Sequence, residues 1–184
     1  NCFSQDESAS VIYVNNIPPE VVLLDTGWKF HEGDNPEWKN SDFNDSNWKN
    51  INPDIDVHDL LQQYKNACIG WFRLKIKIDS SLQDSSFVLI ISQVTASEIY
   101  LNGKLLYQFG SISSDYNKEQ TRTLHEQPFI IHFAKKDIQE ISIRYSFNPK
   151  NFLYFFQNNA VAHLTLKLAN QGFEEFSSNN VLKF

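Results

Sequence analysis

The chain has 184 residues, enough for one large domain that buries most of a core without disulfide support. Its formal charge of −6, with sixteen basic residues scattered singly apart from Lys135-Lys136, supplies no clustered cationic surface for phosphate neutralisation and argues against nucleic acid as a partner. Fifteen Phe, seven Tyr and four Trp make it rich in aromatic side chains, and no stretch approaches the ~18 apolar residues of a membrane span.

The sequence contains no Met, so residue 1 is not a translation start. The opening NCFSQDES reads as the tail of a secretory signal with cleavage after the small residue Ser4, and a lipoprotein Cys2 is the competing reading. Either way the expectation is export to the periplasmic or cell-surface side of a bacterial membrane. Cys2 and Cys68 make neither a metal pattern nor a disulfide framework, and Cys68, beside Ile69-Gly70-Trp71, reads as a small buried hydrophobe. The expected division is a signal remnant and extension over 1–20, a β-sandwich over 21–176 and a tail or linker over 177–184.

Val11–Val14 is a short strand candidate ahead of a Pro-Pro stop. Val21–Leu24 and Trp28–His31 follow as a strand pair around the Asp25-Thr26-Gly27 turn. Gly33–Asn52 is dense in Asn, Asp and Ser, which favour turns through hydrogen bonds to nearby backbone, and Trp38, Phe43 and Trp48 pin it against the body. Asp56–Lys65 is a short helix or a loop. Trp71–Asp79 alternates strictly, with Phe72, Leu74, Ile76 and Ile78 on a buried face and Arg73, Lys75 and Lys77 on a wet one. Phe87–Ile91 is a continuous apolar run, as a central strand requires. Ile99–Leu101 and Leu105–Phe109 flank Asn102-Gly103, whose two positive-φ positions specify a type I′ hairpin. Pro128–Phe133 is a strand with its Pro at the first residue. Ile141–Phe147 points Ile141, Ile143, Tyr145 and Phe147 inward, and His163–Leu168 does the same with Leu164, Leu166 and Leu168. About eight short strands with little helix predict an all-β fold, an antiparallel β-sandwich, with long loops at Ser111–Gln127 and Asn148–Asn159.

Taken in order, GWFRLKIKID, FVLIISQVTASEIYLNGKLL, QPFIIHF and EISIRYSF resemble the galactose-binding-like jelly roll, the sugar-binding domain of β-galactosidase- and β-glucuronidase-class glycoside hydrolases. The earlier WKFHEGDNPEWKNSDFNDSNWK is similar to the amino-terminal extracytoplasmic domain of bacterial membrane-bound signalling proteins, where a WKF-x-x-GD-x-x-x-W entry precedes a GWFR strand. The second resemblance implies a membrane region and a histidine kinase, cyclase or phosphatase output domain farther along. The leading expectation is therefore a non-catalytic, extracytoplasmic ligand-sensing or interaction domain of a membrane-anchored signalling protein. An accessory sugar-binding domain of a glycoside hydrolase is the alternative, and a structural spacer is a third. Fold alone does not choose among them.

Several residues are candidates for a site. Asp34, Asn35, Asp42 and Asp45 give one segment a set of oxygen donors of the kind Ca²⁺ takes, in a spacing that turn formation also explains and that matches no EF-hand. Trp38, Trp48 and Trp71 can stack on a sugar ring or close one end of the core, with Trp38 the best exposed. Arg73 and Arg144 project from a sheet face, as solvated charges or as a bidentate hold on a carboxylate or paired hydroxyls. Glu98 can take a sugar hydroxyl or serve as a charge on an edge strand. Phe152, Tyr154, Phe155 and Phe156 form an aromatic run that is either a protein contact patch or a plug. Dispersed His residues and the absence of a nucleophile elbow, HExxH or phosphate-binding Gly loop give no support for catalysis or a cofactor.

Overall fold

The computed structural model describes residues 11–14, 22–54, 69–115, 117–146 and 164–170, which form two facing β-sheets. The larger sheet has the order β4 (Lys49–Ile51), β3 (Trp28–Glu32), β5 (Ile69–Ile78), β10 (Ile138–Ser146), β7 (Ser97–Leu101), β8 (Lys104–Phe109). β1 (Val11–Val14) joins it beside the far half of β5. The smaller sheet runs β2 (Val22–Leu23), β11 (Leu164–Asn170), β6 (Ser86–Gln93), β9 (Leu124–His132). Every described pairing is antiparallel except β1 on β5, which is parallel. The all-β sandwich read from the alternation is the observed fold.

Its core lies between the sheets. Phe72, Leu74, Ile76, Ile99, Ile141, Ile143 and Tyr145 from the larger sheet meet Phe87, Leu89, Ile91, Leu166 and Leu168 from the smaller one. Period-two side-chain placement explains why these alternate positions are the apolar ones. The β7–β8 hairpin turns at Asn102 (φ 52°) and Gly103 (φ 82°), the two left-handed positions a type I′ turn needs. Asn102 does more than turn the chain. Its side chain donates to Gln139 Oε1 at 2.7 Å and accepts from the Glu140 amide at 3.0 Å, tying the hairpin tip to β10.

Four details depart from the sequence reading. β2 and β3 are not a hairpin: the Asp25-Thr26-Gly27 bend carries the chain from the smaller sheet to the larger. Pro128 lies inside β9, not at its start, and is tolerated because among the described residues β9 is an edge strand whose one neighbour, β6, need not take an N–H from that position. β7 is an interior strand, so Glu98 is not an edge charge. Trp71 is buried, as expected of a core residue, but on the outer face of the larger sheet, away from the main core.

Residues 53 and 54 take helical geometry, with the Asp54 amide donating to Asn52 Oδ1 at 3.0 Å. The helix-or-loop Asp56–Lys65, Cys2, Cys68 and the aromatic run at Phe152, Tyr154, Phe155 and Phe156 lie outside the described residues. The long segment after β8 is held at its base by paired bonds between Ser111 and Gln120 (2.7 and 3.0 Å). Farther along, the Arg122 amide donates to Thr95 O at 3.2 Å and Gln93 Nε2 donates to Arg122 O at 3.1 Å.

Candidate functional site

On the outer face of the larger sheet the strand registers place polar and aromatic side chains in rows. His31, Trp71, Arg144 and Glu98 are successive cross-strand partners on β3, β5, β10 and β7. One step along, Lys29, Arg73, Ser142 and Tyr100 form the next row, and Lys75 faces Glu140 beyond it. Cross-strand partners share a sheet face, so these side chains stand side by side.

Lys77 and His31 on this face are exposed, but much of the rest is covered. The segment between β3 and β4 folds back over it, with a 3₁₀ turn at Pro36–Lys39 capped by Asn35, whose Oδ1 accepts from the Glu37 amide at 2.9 Å. Trp48 of this segment is buried together with Trp71 and Tyr100 of the sheet, with Trp38 and Phe43 packed against them. Trp38 meets Trp48 edge-on at 5.2 Å between ring centroids, and the His31 ring lies 4.8 Å from Trp38. Trp71 and Tyr100 stack at 5.6 Å with planes 25° apart.

Arg73 is the post on which the segment rests. The strand alternation puts it on the outer face as expected, yet it is only 1% exposed, so the wet-face expectation fails for this residue. Its Nε donates to Asp45 Oδ2 at 2.9 Å and its Nη2 to Glu140 Oε2 at 2.5 Å. Nη2 also donates to Asn40 O at 3.1 Å, and Nη1 donates to Trp38 O and, at 3.5 Å, to Ser142 Oγ. The five guanidinium N–H groups thus have five acceptors, three of them on the covering segment. The guanidinium also lies 5.5 Å from the Phe43 ring centroid and 5.9 Å from that of Trp48.

The two carboxylates beside Arg73 are pushed in opposite directions. Burial works against ionised Asp45, but the hydrogen bond from Arg73 and the charges of Lys75, Arg73 and Lys29 outweigh it, and its pKa is lowered. Burial dominates at Glu140 and raises its pKa despite the neighbouring Arg73. A depressed native carboxylate stabilises the fold above its unfolded pKa, and that contribution is lost as pH falls through the native one. The Asp45 share should therefore disappear on acidification below its ordinary value of 3.8. The raised Glu140 has the opposite sign, its contribution being lost as pH rises above 4.5 through the native value. Unfolding midpoints followed across pH 2–5, a window of about one to two units around the ordinary carboxylate value, should show a shallower acid limb in Asp45→Asn than in the wild type. Equal slopes would contradict the assignment.

A second, more open cluster adjoins the first. Arg144 grips Asp34 with two parallel bonds, Nε to Oδ1 at 2.7 Å and Nη2 to Oδ2 at 2.6 Å. Its Nη1 donates to Glu98 Oε1 at 3.1 Å, while the other Glu98 oxygen accepts from the Tyr100 hydroxyl at 2.6 Å. Trp71 Nε1 points at Asp34 Oδ1 from 3.4 Å. The side chains of Asp34, Arg144 and Glu98 are 39%, 20% and 16% exposed. Burial raises the Tyr100 pKa, and the bond to Glu98 adds to the shift. At Arg144 burial works against the charge but is outweighed by the bond it donates to Asp34 and by the Glu98 and Asp34 charges, so its pKa is raised.

Of the residues singled out in the sequence, Asp34, Glu98 and Arg144 meet in this cluster. Arg73 and Asp45 meet in the buried one, where Trp38 contributes its carbonyl. Trp38 itself is half-buried, not a free platform. Asn35 caps the 3₁₀ turn and Asp42 is exposed. Asp34, Asn35 and Asp45 thus have different partners, on Arg144, the Glu37 amide and Arg73. Among the described residues no group of three or more His, Cys, Asp and Glu side chains stands where it could hold a metal.

One arrangement had no sequence signal, because His132 on β9 lies 46 positions from Ser86 at the start of β6. Ser86 Oγ is 2.9 Å from His132 Nδ1, and His132 Nε2 is 3.2 Å from Asp84 Oδ1. The connectivity is that of a serine nucleophile, a base and an orienting acid, but the His132 and Asp84 side chains are 56% and 73% exposed. Water competes for each of these bonds.

No protein-family model and no curated protein matches the chain. Solved structures do. A β-glycosidase from Bacteroides vulgatus superposes with a TM-score of 0.53 and 20% identity over 82% of this chain and 20% of its own. A glycosyl hydrolase family 2 member from Bacteroides cellulosilyticus gives 0.54 and 17% over 82% and 21%. A calcium-binding mutant of Bacteroides uniformis β-glucuronidase 2 gives 0.51 and 13% over 81% and 18%. The chain spans about a fifth of the length of these hydrolases. At such identity the likeness is one of fold: a β-sandwich of the kind that these much longer glycoside hydrolase chains contain.

Proposed function

We propose that this chain is a non-catalytic, carbohydrate-binding β-sandwich of a larger carbohydrate-active protein, working beside a separate catalytic unit. The observation that carries the reading is the superposition of 82% of the chain on about a fifth of glycoside hydrolase chains. Export to the periplasm or cell surface, where polysaccharide is met, fits that role. The signalling-module reading needs the same fold, but the structures named above are hydrolases and lend it no support.

The chemistry of the outer face is suited to sugar. Part-exposed Glu98 and Arg144 offer an acceptor and a donor to vicinal hydroxyls. Titration of the protein against neutral and acidic mono- and oligosaccharides, read by Trp fluorescence, tests the reading. Binding should perturb emission from the Trp38–Trp48–Trp71 group. Silence toward every sugar would overturn the proposal.

A further inference from the structure

Asp34 sits against Arg144 as the carboxylate of a bound ligand would. Two parallel N–H bonds at 2.7 and 2.6 Å meet its two oxygens, and the Trp71 indole N–H approaches one of them at 3.4 Å. The receiving groups stand on three strands in one row, Trp71 on β5, Arg144 on β10 and Glu98 on β7. Each is fixed from behind. Glu98 holds the third guanidinium nitrogen at 3.1 Å and the Tyr100 hydroxyl at 2.6 Å, and Tyr100 stacks on Trp71. The Nε–Nη2 edge of Arg144 therefore keeps its aim with or without Asp34. The occupant, by contrast, comes from a connecting segment and is the most exposed member of the group, 39% against 20% for Arg144 and 16% for Glu98.

We propose that the Arg144–Trp71 corner is a carboxylate-binding subsite, filled by the chain's own Asp34 and taken over by the carboxylate of an acidic sugar when Asp34 swings out. The inference rests on the carbohydrate reading above and names the class of sugar. Exchanging one carboxylate for another leaves the charge of the site unchanged, and a part-exposed ion pair contributes little that must be given up. Part-exposed Glu98, beside the guanidinium, remains in place for a hydroxyl of the ring that bears the acid.

The full chain, as wild type, Asp34→Gly, Asp34→Asn and Asp34→Gly/Arg144→Gln, is titrated with sodium acetate, sodium glucuronate and glucose by Trp fluorescence and thermal shift. Should Asp34 occupy the seat about 90% of the time, removing it tightens glucuronate binding roughly tenfold. Both single variants should gain affinity for acetate and glucuronate by a larger factor than for glucose, and the double variant should lose the gain. Asp34→Asn retains side-chain volume and serves where Asp34→Gly folds poorly, folding being checked by circular dichroism. No gain for either carboxylate, or an equal gain in the double variant, overturns the subsite. Acetate is not a sugar, so this result is independent of the broader reading, which fails only when the wild type binds no carbohydrate at all.

Discussion

Arg73→Met should destabilise the fold by about 3–5 kcal/mol, the usual consequence of removing one partner from a buried, hydrogen-bonded ion cluster. The substitution leaves buried Asp45 and Glu140 without their guanidinium and strips donors from the carbonyls of Trp38 and Asn40. Lys29 and Lys75 still reach Asp45 at 3.9 and 3.5 Å, which limits the loss on that side. Arg73→Lys should recover only part of it, because an ammonium has three donors for a site with five acceptors. Urea unfolding midpoints measure the difference. A cost below about 1 kcal/mol for Arg73→Met, the level of a surface ion pair, would mean the cluster holds nothing together.

Gly110→Ala should be comparably severe, at about 3 kcal/mol, for a reason of backbone and not of charge. Gly110 follows β8 with φ at +71°, and a Cβ there would sit 1.9 Å from the carbonyl oxygen of Gln120. That carbonyl accepts from the Ser111 amide at 2.7 Å and fixes the base of the long segment, so it cannot retreat without breaking the closure. Gly103→Ala is the matched comparison. Its φ is +82°, but the nearest atom to an added Cβ is 3.5 Å away, so only the left-handed backbone is penalised, by about 1–2 kcal/mol. Chemical denaturation should rank the two clearly; equal costs would deny the close approach at Gln120.

Much of this architecture was legible because it is local. The alternation in β5 and β10 and the Asn102-Gly103 turn are written within a few residues, and the structure follows them. The face of each side chain was legible too: Arg73 and Arg144 do lie opposite the main core. What lies over that face was not. Arg73 is dry because residues 28 or more positions earlier fold back across the sheet, and Asp34 meets Arg144 across 110 positions. Periodicity carries no information at that range. A clue was nonetheless present. Trp71 shares its parity with Arg73, Lys75 and Lys77, and a tryptophan on a face assigned to water signals a cover. The bend at Asp25-Thr26-Gly27 fails for a similar reason, since one turn sequence serves a hairpin or a crossing between sheets, and only the register with β11 decides.

The account turns on residues 35–48 being a fixed wall clamped by Arg73 through Trp38, Asn40 and Asp45. Amide hydrogen exchange tests this most directly. The amides of Trp38, Asn40, Phe43 and Trp48, each bonded within the segment, should be protected in the wild type. In Arg73→Met they should exchange rapidly while those of β5, β6 and β10 stay slow. Free exchange of these four amides in the wild type, or their continued protection in the variant, would contradict the clamp.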